Sequence, residues 1–459
     1  MAADLAAYRR ALSRDPANPD LLHDTGLSHS VTGDQARALL WLDRFLRLSP
    51  RDPLGWHNRG EVLARRGADA EALAAYDRAL GLAPDLVGAR LGRANMLQRL
   101  GRFAEAAAAL RTALAIGPAQ APALNNLGNA LRSLQHAASA LPLYERALAI
   151  DAAYVQPRWN RGLARLALGD FRQGFEDYEA RWILPGWPGL DSSRPAWDGS
   201  SAGHLLVRSE QGFGDVLQFA RFLPPARQRV GRLTLSAPPE LLSLLRASFP
   251  DVDVETTPDL SAVDRQIPIM SLPRVLGTDL APPVMLRASE AARRRQGAWR
   301  AAIEAEAGLR VGICWSGAGR GHDPDGAAID RRRSVPVEAL APLAAVPAAR
   351  IFSLQIGCAA PAWMQDSAQT LSDFDDTAAL VERLDAVVTV DTAVAHLAAG
   401  LGRPVLLLSR PDACWRWMER RTDSPWYPSV RLYRPARAFD WTETIVRVAA
   451  DLAAMKAQR

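Results

Sequence analysis

Pro16, Pro50, Pro84 and Pro118 stand 34 residues apart along this chain. Gly26, Gly60, Gly128 and Gly162 keep the same frame, with Ala94 at the missing step, and Ala38, Ala72, Ala106 and Ala140 form a third series. A fourth runs Leu42, Tyr76, Leu110, Tyr144 and Tyr178. Four positions that share one period are not coincidence: each period is one unit that buries its apolar face against the next. The residue types give the architecture. Small residues let two helices approach closely, leucine or tyrosine fills the seam, and proline punctuates before the next helix. Five units run from about Asp20 to about Arg181, behind a leading helix in the first dozen residues.

These series resemble the tetratricopeptide repeat, an antiparallel helix pair of this length. The resemblance implies an all-α superhelix with a concave groove for a peptide or protein partner. Asn58, Asn126 and Asn160 occupy one repeat position, with Asp24 and Gly92 at the others. In O-GlcNAc transferases, whose general layout is similar, an asparagine ladder lines the groove, so these three are expected to face a bound peptide backbone. The plainer alternative is that asparagine is simply common at this repeat position.

Length and composition bound the rest. The 459 residues allow about three domains, and 48% apolar with 23% charged residues is globular composition. The net charge of +5 does not point to nucleic acid, because 54 of the 55 basic residues are arginine, interleaved with 50 acidic ones. That is the mark of coding bias rather than of a basic patch. No run approaches 18 uninterrupted apolar residues, and the opening lacks an apolar core of signal-peptide length, so a cytoplasmic chain without membrane insertion is expected. Cys314, Cys358 and Cys414 are spaced neither as zinc ligands nor as a disulfide framework.

Beyond Arg181 the period stops. Trp182, Trp187 and Trp197 stand among Pro, Gly and Ser, which predicts an ordered junction over 187–203 rather than a free linker. From His204, short β-rich runs alternate with helical stretches: 205–210, 233–237, 252–256, 310–316, 349–355, 386–391 and 404–409. This is the pattern of parallel α/β layers. The expected order is a repeat array (1–186), the junction, a short Rossmann-like half (204–290), a second half (291–438) and a terminal helix (439–459). Ala288–Ala307 reads as one helix joining the halves.

In open parallel sheets, ligands lie at the carboxyl ends of strands, where helix N-termini suit phosphate. Two loops fit. Gly212, Phe213, Gly214 and Asp215 close a strand and open a helix, but without the GxGxxG pattern of dinucleotide binding. Asp391, Thr392, Ala393, Val394 and His396 follow a second strand and open a second helix. Each loop alone also reads as ordinary helix capping.

Together and in this order the two loops resemble the heptosyltransferase-like glycosyltransferases (glycosyltransferase family 9), which have the GT-B fold of two Rossmann-like halves. The resemblance covers about residues 204–455. In a bacterial group that also carries tetratricopeptide repeats, Ser353-Leu354-Gln355, Asp373–Leu380, Trp415-Arg416-Trp417 and Asp423–Pro428 find counterparts. What the resemblance implies is specific. Asp215 maps to the proposed general base, and the amides of Thr392, Ala393 and Val394 would face the diphosphate of a nucleotide-sugar. Arg333 takes the place of a phosphate-binding lysine, a change its forked guanidinium tolerates. Ser316 and Gly317 are further phosphate candidates, and Gln355 lies at another strand end. Two departures stand out: Ala393 replaces a glycine, and the first half is short, so the repeats are expected to supply part of the acceptor site.

Asp251/Asp253, Asp323/Asp325 and Asp373/Asp375 form DxD triplets, but none follows a Rossmann half as metal-dependent glycosyl transfer requires, so neither metal nor other cofactor is expected. The leading reading is an inverting transferase acting on a protein acceptor, such as a surface or flagellar subunit, recruited by the repeats. A lipopolysaccharide or other glycan acceptor is the alternative, and a non-catalytic scaffold with a nucleotide-binding α/β region is the third.

Overall fold

The computed structural model describes residues 5–117, 119–184, 193–277, 282–283, 285–317, 324–412, 414–437 and 439–457. Pro118, Trp187 and Asp323 lie outside them, as does the side chain of Asp325. The chain divides into two compact units, residues 1–160 with 319–331, and residues 161–318 with 332–459.

In the first unit a leading helix (Leu5–Arg14) precedes the helix pairs Pro19–Val31/Gln35–Leu48, Pro53–Arg65/Asp69–Leu82, Val87–Arg99/Phe103–Ile116 and Ala121–Ser133/Ala137–Ile150. Asn18 and Asp52 cap their helices by accepting from the amides of Leu21 and Gly55. The small-residue positions are small because the seam is closed: a Cβ on Gly60 would lie 2.8 Å from Tyr76, and one on Gly128 2.5 Å from Tyr144. A further glycine series in the period, Gly33, Gly67 and Gly101, turns each pair at positive φ, with Gln135 at φ 59° in the fourth.

The asparagines do not all face a groove. Asn58 shares a hydrogen bond with His23, Asn126 donates to Asn95, and Asn160 donates to Asn125 at 2.8 Å. Asn160 is buried, so the expectation of a groove-facing amide is corrected there. Its amide is consumed in tying neighbouring repeats together.

A fifth pair, Gln156–Leu168 and Phe171–Tyr178, continues the period, yet from Arg161 onward it belongs to the second unit. There Phe171 packs on Trp426, and Phe175 on Phe219 and Trp415. The α/β region has two all-parallel sheets. The first comprises β1 (Ala202–Arg208), β2 (Val230–Ser236), β3 (Asp253–Glu255) and β4 (Arg265–Pro268), in the order β3-β2-β1-β4. The second comprises β5 (Leu309–Cys314), β6 (Ala349–Ser353), β7 (Ala386–Val390), β8 (Val405–Leu408) and β9 (Val430–Tyr433), in the order β6-β5-β7-β8-β9. A helical repeat array followed by two doubly wound parallel sheets is the architecture expected of a GT-B-like fold.

Strands β4 and β9 lack a clear signature in sequence, being short edge strands. The stretch 288–307 is two helices, Glu290–Arg295 and Gly297–Ala305, broken at Gln296, whose side chain bonds Thr370. In the junction, Trp197 is buried; its backbone N–H donates to the Gln266 carbonyl of β4, and the Gln266 N–H donates to the Pro195 carbonyl. The terminal helix (Thr442–Ala457) buries Ile445, Val448 and Leu452 against the second sheet's core.

Candidate active site

Strand order reverses between β1 and β4 in the first sheet and between β5 and β7 in the second, and crevices form at such points. The candidate loops lie at these places. The chain leaves β1 through Glu210 and Gln211 and enters the helix Phe213–Phe219, with Gly212 as its N-cap. Asp215, at the third helical position, supplies one half of a capping box, its Oδ2 accepting the Gly212 N–H at 3.0 Å. β7 leads through Asp391 to Thr392, the N-cap of the helix Ala393–Gly400. Residues 391–394 are half-buried, and the Ala395 N–H closes the first turn by donating to the Thr392 carbonyl at 3.0 Å, so the amides before it precede the helix's own hydrogen bonds.

The two helix starts abut. A Cβ on Gly214 would fall 2.8 Å from His396 Cδ2 and 3.4 Å from the Ala393 Cα, so glycine is the residue that lets the two loops meet. Phe213 packs edge-on against Phe374, the first residue of the helix Phe374–Val381, with ring centres 5.1 Å apart. Asp215, the next residue, is thus carried on a helix start that meets the second loop, and its carboxylate acts on His396, favouring that imidazole's charged form.

One short 3₁₀ turn, Trp415–Trp417, holds both loops. Arg416 pairs with Asp215 Oδ1, donates to Cys414 Sγ at 3.0 Å and lies over the Trp415 ring. Burial opposes the Arg416 charge most strongly of any single influence, but Asp215, Cys414 and Tyr178 together hold the guanidinium above its usual range. Trp417 donates its indole N–H to Asp391 Oδ1 at 2.7 Å and stacks on His396. His396 Nδ1 lies 3.1 Å from the Tyr427 hydroxyl, and burial lowers its pKa to about 4, so at neutral pH it is an uncharged imidazole.

Arg333 lies on the other side of the second loop. Its Nη1 donates to the Asp391 carbonyl at 3.2 Å, and its guanidinium lies against Gly317, where a Cβ would be 2.2 Å from Nη2. Gln355 plays an internal part. Its Oε1 accepts the amides of Trp315 (3.0 Å) and Ser316 (2.8 Å), so of Ser316 the hydroxyl rather than the amide is left for a ligand.

The candidates thus fall into two connected groups, Gly212–Asp215 with Ala393 and His396, and Gly317 with Arg333 and Asp391. Sequence reasoning gave no role to Arg416, Trp417 or Tyr427, although it singled out the motifs that carry them.

Among the described residues no cluster of three or more His, Cys, Asp or Glu side chains is placed to hold a metal ion. Three aspartates of the DxD triplets are engaged elsewhere. Asp253 pairs with Arg232, Asp373 caps the helix Phe374–Val381, and Asp375 accepts from the Ser289 amide and hydroxyl.

Comparison with known proteins agrees with this layout. Residues 371–430, which include the second loop and the tryptophan turn, match the family model of glycosyltransferase family 9 (heptosyltransferase). Residues 5–53, 42–87 and 91–155 match a tetratricopeptide repeat model. The chain therefore carries tetratricopeptide repeats followed by a glycosyltransferase family 9 region. Protein FlbA of Caulobacter vibrioides is 26% identical over 330 residues, an alignment spanning 64% of this chain and 54% of that protein. The chain thus matches about half the length of this relative.

Among solved structures, MamA from Desulfovibrio magneticus RS-1 is 21% identical, with TM-score 0.33, covering 35% of this chain and 91% of that one. YrrB, described as a TPR protein with an unusual peptide-binding site, is 18% identical with TM-score 0.33, covering 39% and 93%. PilF of Pseudomonas aeruginosa is 18% identical with TM-score 0.34, covering 38% and 80%.

Proposed function

We propose that this chain transfers a sugar from a nucleoside-diphosphate donor to a hydroxyl of a protein acceptor that the repeats recruit, with inversion at the anomeric carbon. The observation that supports this reading is the abutment at Gly214, which brings the helix start bearing Asp215 against the helix start at Thr392–Ala393. Inverting glycosyl transfer asks for that pair. Asp215 takes the proton of the acceptor hydroxyl as its oxygen bonds the anomeric carbon, and the bond from that carbon to the diphosphate breaks on the opposite face. The departing diphosphate gains negative charge, which the helix amides and the Arg333 guanidinium are placed to balance without a metal ion. Ser316 and Gly317, beside Arg333, line the same edge. His396 remains neutral and serves as a wedge between the loops rather than as a proton carrier.

Asp215→Asn tests the reading. It keeps the shape of the side chain and removes its basicity, so transfer should fall by about 10²–10⁴-fold. The thermal shift given by the matching nucleotide, selected from UDP, GDP, ADP and CMP, should persist. Full activity in Asp215→Asn would remove the base assignment. Absence of a shift with every nucleotide would favour a scaffold, and transfer to a free glycan independent of the repeats would replace the protein acceptor.

A further inference from the structure

The tyrosine series of the repeats ends with a change of partner. In the second pair the Tyr76 hydroxyl donates to Glu61 at 2.7 Å, and in the fourth the Tyr144 hydroxyl donates to Asn129 at 2.9 Å, each 15 residues back within its own pair. The corresponding position for Tyr178 is Leu163, which can accept nothing. The Tyr178 hydroxyl instead accepts from Gln211 Nε2 at 2.6 Å, forward across 33 residues.

Gln211 needs that hold. It has φ 62°, in the left-handed region that a side chain other than glycine or asparagine disfavours, and it directly precedes Gly212. The residue before it is held from the same source. Arg181, fully buried, grips Glu210 through Nε (2.8 Å) and Nη2 (2.9 Å), and bonds Ser271 and Glu179 as well. Its guanidinium lies between the rings of Tyr178 and Trp182, 4.8 Å and 4.5 Å from their centres. A buried ion pair of this kind contributes little net stability and much fixed geometry. Tyr178 in turn packs on Trp415, whose ring carries Arg416, the partner of Asp215.

From this geometry we propose that Tyr178 and Arg181, at the end of the last helical repeat, are positioning residues for the turn that bears Asp215. The repeat side chains fix Glu210 and Gln211, and through them the direction in which the Asp215 carboxylate faces the second loop. The proposal rests on the assignment of Asp215 made above, and it can be tested apart from it.

The variant is Tyr178→Phe in the full chain, which removes one hydroxyl and keeps the ring. Amide hydrogen exchange over 210–216 should rise about tenfold while the unfolding midpoint stays within a few degrees. In transfer assays kcat should fall about tenfold with KM for the donor unchanged. Adding Gln211→Gly, which adopts the left-handed conformation without support, should recover most of the lost rate. Unchanged exchange and unchanged kcat in Tyr178→Phe would overturn the proposal. So would a loss confined to KM, or one that Gln211→Gly leaves in place. A wild-type chain without transfer activity would defeat the proposed function, and the exchange measurement would still decide the role of Tyr178.

Discussion

Gly214→Ala is the sharpest single test of how the two loops meet. The added carbon would stand 2.8 Å from His396 Cδ2, where carbon atoms ordinarily keep about 3.5 Å or more, so roughly 0.7 Å must be found. His396 cannot yield it, being buried, stacked on Trp417 and hydrogen-bonded to Tyr427. The Ala393 Cα, at 3.4 Å, blocks the other direction. The two helix starts must separate. Overpacking of this kind costs about 1–3 kcal/mol. A displacement approaching 1 Å at reacting groups costs about 10²-fold in rate.

Gly212→Ala, two residues away, is the built-in control. Its backbone has φ −96°, open to any residue, and its Cβ would meet only Asp215 Oδ2 at 3.6 Å. Stability there should stay within about 0.5 kcal/mol of wild type. Urea unfolding and single-turnover transfer on both variants decide the matter. Equal effects at the two glycines, or a Gly214→Ala protein with wild-type stability and rate, would refute the argument from close approach.

Two further outcomes follow from the site. His396 has its pKa lowered by burial from 6.5 to about 4, so the unfolded chain takes up this proton first as pH falls. Stability is unaffected above pH 6.5 and lost as pH drops from there toward 4, by about 3 kcal/mol, and urea unfolding of His396→Gln should lack that loss. Gln355→Ala orphans the amides of Trp315 and Ser316, and should cost about 1–3 kcal/mol in the ligand-free protein by the same measurement.

The repeats were legible because a helix pair writes its packing into a short period: Gly60 against Tyr76 and Gly128 against Tyr144 are contacts within one unit. The strand-to-helix loops were legible because turn chemistry is local too. What holds the loops was not. Arg416 finds Asp215 across 201 residues and Arg181 finds Glu210 across 29, and no local periodicity encodes either pairing. The asparagine series misled at Asn160 for a related reason. A repeat position fixes where a residue lies along the array, and the packing around it, which the position does not encode, decides whether it reaches solvent.

The border between the two compact units runs through the middle of a helix, between Asn160 and Arg161. Periodicity and independence are therefore different properties here. By pattern the fifth pair is one more copy, interchangeable with its predecessors. By packing it is part of the α/β region's own interior, since Phe171, Phe175, Tyr178 and Arg181 contact Trp426, Trp415, Gln211 and Glu210. Evolution can lengthen, shorten or replace the copies ahead of it to suit a new partner. The last copy is not free to vary with them, because its side chains are committed to the packing of the α/β region.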